Sequence, residues 1–215
     1  GNTKWNGSSF FDLDGTGDFL YQRGGGTDGF TFGTGDFAIE QWVYISTTGQ
    51  QHFYEGRGGT STNTILIYVD GSTILKTYLN GSNAIADSGA LTQNTWHHIV
   101  LTRSGSTTTL YKNGTSVGTY SDSLNYVGPQ QGIIYFGSNA GTDGLGASRG
   151  SYVTGRIGIT RTYKGRALTL AEVTSNYNAG YTATTSAVAA TIDLNPNVPA
   201  SYPGTVRDVD TTDFT

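Results

Sequence analysis

The stretch FAIEQWVYI, residues 37–45, decides the fold class. Successive side chains of a β-strand point to opposite faces, so alternate residues share one face. On that basis one face carries Phe37, Ile39, Gln41, Val43 and Ile45. Trp42 and its neighbours occupy the other face. Because apolar side chains lie on both faces, the pattern predicts a strand that is covered at least in part on each side.

Turn signals divide the rest of the chain into further short strands. Asp70-Gly71 lies between two alternating segments and predicts a hairpin with a type I′ turn, and Asn113-Gly114 predicts another. The predicted strands are residues 64–69, 73–79, 96–103, 107–112, 116–120, 133–137 and 153–163. A glycine-rich loop, residues 138–150, is long enough to require either a functional role or disorder as its explanation.

One helix is predicted, over residues 170–177. Thr169 can cap its first turn and Glu172 can complete a capping box. Leu170, Val173 and Tyr177 fall on one face, which we expect to pack on the edge of the sandwich. The sequence therefore predicts an all-β fold, an antiparallel two-sheet sandwich with one short C-terminal helix.

Composition excludes several classes of function. The 215 residues fit one domain, and 32 glycines and 14 tyrosines with 13% charged residues favour strands joined by tight turns. Twelve scattered basic residues and a net charge of -4 disfavour nucleic acid. The absence of cysteine excludes disulfides and thiolate chemistry. No apolar run is long enough for membrane insertion.

Several sequence blocks resemble a laminin-G-like domain of the concanavalin A-like lectin/glucanase superfamily, of the kind found in phage and bacterial surface proteins. The blocks are FDLDGTGDFL (residues 11–20), FGTGDFAIEQWV (32–43), WHHIVLTR (96–103), LYKNG (110–114), GRIGITRTY (155–163) and ALT (167–169). The resemblance covers roughly residues 8–181. It implies a jelly roll with a concave sheet and loop-bearing rims, located outside a cell or on a virion surface.

The domain boundaries follow from this resemblance and from composition. Residues 1–183 are predicted to form the sandwich. Residues 184–215 are polar and contain prolines, which predicts an extended arm or a linker to a following module. Such an arm could lie across a neighbouring subunit.

The residue pattern argues against an enzyme. Glucanases with this architecture place two glutamates on one strand, whereas the glutamates here are Glu40, Glu55 and Glu172. No serine elbow accompanies the histidines. His97 and His98 are adjacent in a strand and therefore point to opposite faces, one expected to be buried and one exposed.

Two aromatic and arginine pairs are the candidate glycan-binding residues. A sugar can stack on a tyrosine ring while arginine binds its hydroxyls. The pairs are Tyr54 with Arg57, and Arg149 with Tyr152 beside the long loop. Ordinary surface residues are the alternative interpretation. The other prominent aromatic residues are predicted to be core: Trp42, Trp96, Phe19, Phe37 and Phe136.

A calcium ion is the candidate cofactor. Calcium takes oxygen ligands from Asp, Asn and loop carbonyls, and related sandwiches carry such an ion at the rim. The candidate ligands are Asp70, Asn139 and Asp143. The alternative is that Asp70 shapes its turn and that the loop residues form Asx turns.

Two hypotheses of function remain at this stage. The first is a non-catalytic carbohydrate-binding or adhesion module, displayed on a virion or cell surface, whose partner is a glycan or surface polysaccharide. The second is a structural decoration or assembly protein of a phage particle or extracellular filament, which contacts other subunits without binding sugar.

Overall fold

The computed structural model describes residues 4–5, 10–23, 30–57, 64–128, 133–139, 149–181 and 193–194. Within these residues the chain forms fourteen strands and one helix, α1, Leu170–Ala179. The strands are Lys4–Trp5 (β1), Phe11–Asp14 (β2), Leu20–Arg23 (β3), Phe37–Ile45 (β4), Gln51–Glu55 (β5), Ile65–Val69 (β6), Ile74–Leu79 (β7), Ser82–Ala90 (β8), Trp96–Ser104 (β9), Thr107–Lys112 (β10), Thr115–Ser121 (β11), Ile133–Phe136 (β12), Thr154–Lys164 (β13) and Asp193–Leu194 (β14). No helix among the described residues has the length and apolar character needed to cross a bilayer.

The described strands form two sheets that face each other across one main core. The helix-side sheet has the order β1-β2-β13-β4-β9-β10-β11, with β14 added in parallel to β13. The tyrosine-side sheet has the order β3-β12-β5-β6-β7-β8. All other strand pairs are antiparallel. This arrangement confirms the predicted all-β jelly-roll sandwich. β14 lies in the segment predicted to be an extended arm.

Strand β4 occupies the centre of the helix-side sheet and is covered on both faces, as predicted. Its inward side chains include Phe37, Ile39, Val43 and Ile45, each fully buried. They pack against inward residues of the tyrosine-side sheet such as Ile67. A one-residue slip of this strand would turn those apolar side chains away from the core, so its register is strongly specified.

A β-bulge in β13 changes which of its residues face outward. Ile157 lies opposite Val43 of β4, and Thr160 lies opposite Gln41. The three-residue step on β13 therefore matches a two-residue step on β4. As a consequence Arg156 and Arg161, which regular alternation would place on opposite faces, both lie on the outer face.

The two predicted hairpin turns differ in their outcome. Asn113 and Gly114 both have positive φ, 51° and 78°, which confirms the type I′ turn between β10 and β11. The hairpin predicted at Asp70-Gly71 forms between β6 and β7, but the predicted type I′ turn is wrong, because the positive φ, 60°, lies at Thr73. The Asp70 side chain accepts hydrogen bonds from the backbone N–H groups of Ser72 and Ile74, and these bonds hold a longer turn.

Helix α1 packs on the outer face of the helix-side sheet. Its capping box is confirmed, because Thr169 and Glu172 exchange hydrogen bonds as predicted. Val173 is buried and Tyr177 stacks on Trp42 with ring centroids 6.2 Å apart. The prediction that Leu170 joins this face is wrong, since Leu170 is 56% exposed. The helix covers the sheet face rather than its edge.

The adjacent histidines point to opposite faces, but both are buried. His97 lies opposite inward-facing Val43, and His98 lies opposite Trp42 on the outer face beneath α1. The exposed fractions are 5% for His97 and 0% for His98. The expectation that one of them is exposed is therefore wrong, because the helix covers the side that would otherwise be open.

A buried carboxylate joins α1 to the helix-side sheet. Oε1 of Glu40 accepts hydrogen bonds from Nε2 of His98 at 2.8 Å and from Nδ2 of Asn176 at 2.7 Å. Oε2 accepts from Arg161 at 3.2 Å and from the Tyr163 hydroxyl at 3.1 Å. Four donors on three different elements thus converge on one fully buried side chain.

These donors decide the ionisation of Glu40. Burial by itself raises the pKa of the carboxyl, because desolvation disfavours the charged form. The hydrogen bond and charge of His98, with Arg161 and Asn176, outweigh burial and lower the pKa to about 2. Burial, together with the charge and hydrogen bond of Glu40, raises the pKa of Tyr163 to about 12. Glu40 is therefore ionised at neutral pH.

Glu40→Gln is expected to lower the free energy of unfolding at pH 7 by about 2–3 kcal/mol, since the depressed pKa is itself a stabilisation of the folded state. That stabilisation is complete above the ordinary pKa of 4.5 and is lost as the pH falls towards 2. Denaturant unfolding between pH 7 and pH 2.5 should therefore show a steep acid limb in the unmodified protein and a flatter one in the variant.

The matched control is Glu172→Gln, at the exposed start of the same helix. Hydrogen bonds from Thr169 and the nearby Arg166 lower the pKa of Glu172 as well, but solvent screens this exposed group, so we expect a much smaller change of the acid limb than for Glu40→Gln. If Glu40→Gln and the control behave alike, the buried carboxylate does not carry the acid sensitivity.

Candidate functional site

The outer face of the tyrosine-side sheet carries a continuous row of directly opposed side chains. Pairing between neighbouring strands places Tyr21 opposite Tyr135, Tyr135 opposite Glu55, Glu55 opposite Leu66, and Leu66 opposite Tyr78. Neighbouring strands lie about 4.8 Å apart, so these side chains form one band across the sheet. We call the outer face around this band the tyrosine face.

A buried ion pair lies at the centre of the tyrosine face. Nε of Arg57 donates to Oε1 of Glu55 at 2.8 Å, and Nη2 donates to Oε2 at 2.5 Å. Nδ1 of His52 lies 3.1 Å from Oε2 of the same carboxylate. Glu55 is fully buried, whereas the Arg57 side chain is 29% exposed. The carboxylate thus fixes the guanidinium in one orientation with one edge open to solvent.

The hydrogen-bond pattern sets the protonation of this group. Burial raises the pKa of Glu55, but hydrogen bonds from His52 and Arg57 outweigh it and lower the pKa. Burial lowers the pKa of His52 below its usual 6.5, with Glu55 opposing the shift. Nε2 of His52 lies 2.9 Å from the side-chain nitrogen of Gln50, which can only donate. His52 is therefore neutral with its proton on Nδ1.

The second arginine of the tyrosine face lies against two aromatic rings. The Arg149 guanidinium carbon is 3.8 Å from the ring centroid of Phe19 and 4.2 Å from that of Tyr135. Tyr152 and Tyr21, both partly exposed, pack against the same aromatic cluster. The stack restrains the guanidinium, as cation–π contacts do.

The structure thus brings three of the four predicted sugar-binding residues to one face: Arg57, Arg149 and Tyr152. Tyr54 does not join them, and the expectation that it is exposed is wrong. A bulge in β5 turns both Phe53 and Tyr54 into the core, where Tyr54 is 1% exposed. Burial raises its pKa.

Two of the predicted calcium ligands, Asp70 and Asn139, fall at one rim of the tyrosine-side sheet. Strands β6 and β12 both run antiparallel to β5, so Asp70 and Asn139 follow strands that end at the same edge. Oδ2 of Asp70 pairs with Lys76 at 2.7 Å, and Oδ1 of Asn139 accepts from the Gly150 N–H at 2.9 Å. Asp143 lies outside the described residues. Among those residues no cluster of three His, Asp or Glu side chains forms.

The glutamates do not approach one another as a glycosidase pair would. Glu40 lies on the outer face of the helix-side sheet and Glu55 on the tyrosine face, so the sandwich separates them. Glu172 completes the capping box of α1. Glycosidases of the usual kind place two carboxyl groups about 5–10 Å apart on one substrate.

A comparison of the sequence with models of protein families identifies the family of this chain. A model described as the Concanavalin A-like lectin/glucanases superfamily, of laminin-G type, matches residues 22–174. The chain belongs to this superfamily. The matched region runs from β3 to the middle of α1 and contains Glu55, Arg57, Arg149 and Tyr152. A comparison with curated proteins finds no match.

Solved structures show that the lectin-like fold is shared at low sequence identity. A heptameric SAP-like pentraxin from Limulus polyphemus has a TM-score of 0.64 at 15% identity, with 93% of this chain and 91% of that one covered. A putative carbohydrate binding protein from Bacteroides ovatus gives 0.59 at 15%, over 78% of this chain and 45% of that one. The binding domain of botulinum neurotoxin serotype G gives 0.58 at 15%, over 79% and 42%. This chain spans less than half of the latter two.

Sequence reasoning missed the residues that support the arginines. In the sequence Glu55 is only one of three dispersed glutamates, and no local pattern distinguishes Tyr21, Tyr78 and Tyr135 from the other tyrosines. The spacing Glu55-Gly56-Arg57 after an alternating strand was the available signal, because an arginine two residues beyond a buried carboxylate can fold back onto it.

Two buried histidines are expected to hold opposite neutral tautomers. His52 should carry its proton on Nδ1, which donates to Glu55, and His97 on Nε2, which lies 2.9 Å from the Thr92 carbonyl oxygen. Long-range ¹H–¹⁵N correlation spectra of the imidazole rings at pH 7 distinguish the two forms. Burial lowers both pKa values, so both rings should titrate below pH 6.5. A doubly protonated His52 at pH 7 would contradict the assignment.

Proposed function

We propose that this chain is a non-catalytic carbohydrate-binding module and that the tyrosine face is its binding surface. The observation that carries the proposal is the group of partly exposed rings of Tyr21, Tyr78 and Tyr152 on this face. Buried Tyr135 and Glu55 lie in the band between them and hold Arg149 and Arg57 in place. Aromatic rings offer the apolar face of a sugar a surface to stack on, and fixed guanidinium groups offer donors to its hydroxyls.

Preorganisation strengthens this interpretation. Glu55 orients Arg57, which also lies over the Tyr78 ring at 5.7 Å, and two aromatic rings restrain Arg149. A ligand that meets side chains already fixed in position loses less conformational entropy on binding. The Tyr68 hydroxyl donates to Asn83 at 2.7 Å, which adds another ordered polar group to the same face.

The superfamily and its solved members support a binding role. The Bacteroides ovatus protein is described as a putative carbohydrate binding protein, and the botulinum fragment is a binding domain. The separation of Glu40 from Glu55 supports a module without glycosidase activity. Display on a cell or virion surface, with a surface polysaccharide as partner, is part of this proposal.

A structural role in a particle or filament is the second candidate. The observation that favours it is β14, where residues 193–194 add as a parallel strand beside Arg161 and Thr162 of β13. A sheet edge that accepts one strand from a C-terminal segment can accept the same segment from a neighbouring subunit. In that case the chain would form a defined oligomer and bind no glycan.

A glycan array probed with the purified chain is the direct test. We expect binding to one class of sugar, and we expect Tyr78→Ala and Tyr152→Ala each to weaken it about tenfold, the loss that corresponds to about 1.4 kcal/mol of contact energy. Parallel arrays with calcium and with a chelator test the predicted ion at Asp70, Asn139 and Asp143, since chelation should reduce binding if the ion orders the rim.

The matched control is Tyr120→Ala, which removes a partly exposed tyrosine from β11 of the other sheet. It should leave glycan binding unchanged. Absence of binding to every glycan, together with a defined oligomer in light scattering, would replace the carbohydrate-binding proposal with the structural one.

A further inference from the structure

A second cross-strand row lies on the opposite side of the sandwich. Asp12 of β2 pairs with Arg156 of β13, Arg156 pairs with Tyr44 of β4, and Tyr44 pairs with Trp96 of β9. These four side chains are direct neighbours across four adjacent strands, and with a strand spacing of about 4.8 Å they span about 14 Å. We call them, with Phe10, the tryptophan row.

The members of the tryptophan row are ordered but remain open to solvent. The Arg156 guanidinium lies 4.8 Å from the ring centroids of both Phe10 and Tyr44. Nε of Arg156 donates to Oδ1 of Asp12 at 2.7 Å. The side chains of Arg156 and Asp12 are 38% and 41% exposed. Phe10, Tyr44 and Trp96 are all partly exposed.

Trp96 corrects an expectation from the sequence. It was predicted to be a core residue like Trp42, yet only Trp42 is buried, at 5% exposure. Tyr181 stacks on the Trp96 ring at 3.9 Å, and Tyr44 meets it edge-on at 5.6 Å. These contacts fix the plane of the indole while leaving part of it accessible.

We propose that the tryptophan row is a second carbohydrate-binding site, specific for an uncharged oligosaccharide. Partly exposed aromatic rings in a row supply stacking surface, and the Arg156–Asp12 pair supplies fixed donors and acceptors for hydroxyl groups. Lys4 of β1 lies opposite Asp12 at the far end of the row, whereas beside the rings Asp12 balances the charge of Arg156. The aromatic part of the row therefore offers no net charge to an anionic ligand such as a nucleic acid or an acidic peptide. A polyol matches this combination.

The site is separate from the tyrosine face. Its residues lie on β2, β13, β4 and β9 of the helix-side sheet, whereas the tyrosine face lies on the other sheet. The inference therefore goes beyond the proposed function and does not depend on the same residues. A chain with both sites would bind two oligosaccharides, one on the outer face of each sheet.

Indole NMR provides a direct readout, because the chain contains three tryptophans. ¹⁵N-labelled protein is titrated with maltohexaose, cellohexaose and mannohexaose, and Trp96→Phe identifies the Trp96 indole signal. We expect at least one of the three probes to shift that signal while the buried Trp42 signal stays in place. Arg156→Gln should weaken this interaction at least fivefold without changing the melting temperature.

Two control variants make the outcome specific. Arg166→Gln removes an exposed arginine that likewise lies over a tyrosine ring and pairs with an acid, Glu172, and it should leave the titration unchanged. Tyr78→Ala, on the tyrosine face, should also leave the Trp96 shift unchanged even where it weakens binding on the array. The proposal is overturned if no probe shifts the Trp96 signal, or if Arg156→Gln and Arg166→Gln titrate alike.

Discussion

The register of β4 between β13 and β9 is the constraint on which the other features depend. Its inward residues fill the core. Its outward residues Glu40 and Trp42 contact α1, and its outward residue Tyr44 contacts Arg156. A shift by one residue would exchange the two sets and place a carboxylate among apolar side chains. The burial of both faces therefore fixes the register of β4. The register in turn determines which residue lies opposite each outward side chain.

The bulge in β13 connects two clusters that would otherwise be independent. Arg161 reaches Glu40 beneath α1, and Arg156 reaches Tyr44 at the open end of the same face. Both contacts require outward side chains five positions apart, which regular alternation forbids and the extra residue near Gly158 permits. One irregularity thus supports the attachment of the helix and the order of the exposed aromatic row.

Hydrophobic alternation, glycine-bearing turns and the capping box at Thr169 were enough to predict eight of the fourteen described strands and the helix, because these signals are local. The family was recognised separately, from the order of the sequence blocks. The candidate site was predictable only in part. Tyr54 turns inward through a bulge in β5, and Trp96 stays partly exposed although Tyr181 stacks on its ring. Bulges and helix coverage depend on pairing between distant segments, which a single sequence does not display. The partner of Arg57 is only two residues away, whereas the rings that hold Arg149, Phe19 and Tyr135, come together through the pairing of β3 with β12.

The closure between Asn139 and Gly150 has a consequence for how such a module can change over time. The backbone N–H of Asn139 donates to the Gly150 carbonyl oxygen at 3.0 Å, and the Gly150 N–H donates to the Asn139 side chain at 2.9 Å. These two bonds hold Asn139 and Gly150 side by side, whatever the length of chain that joins them. Loops with fixed ends are where related proteins most often differ, so this position suits the divergence of one scaffold into many specificities.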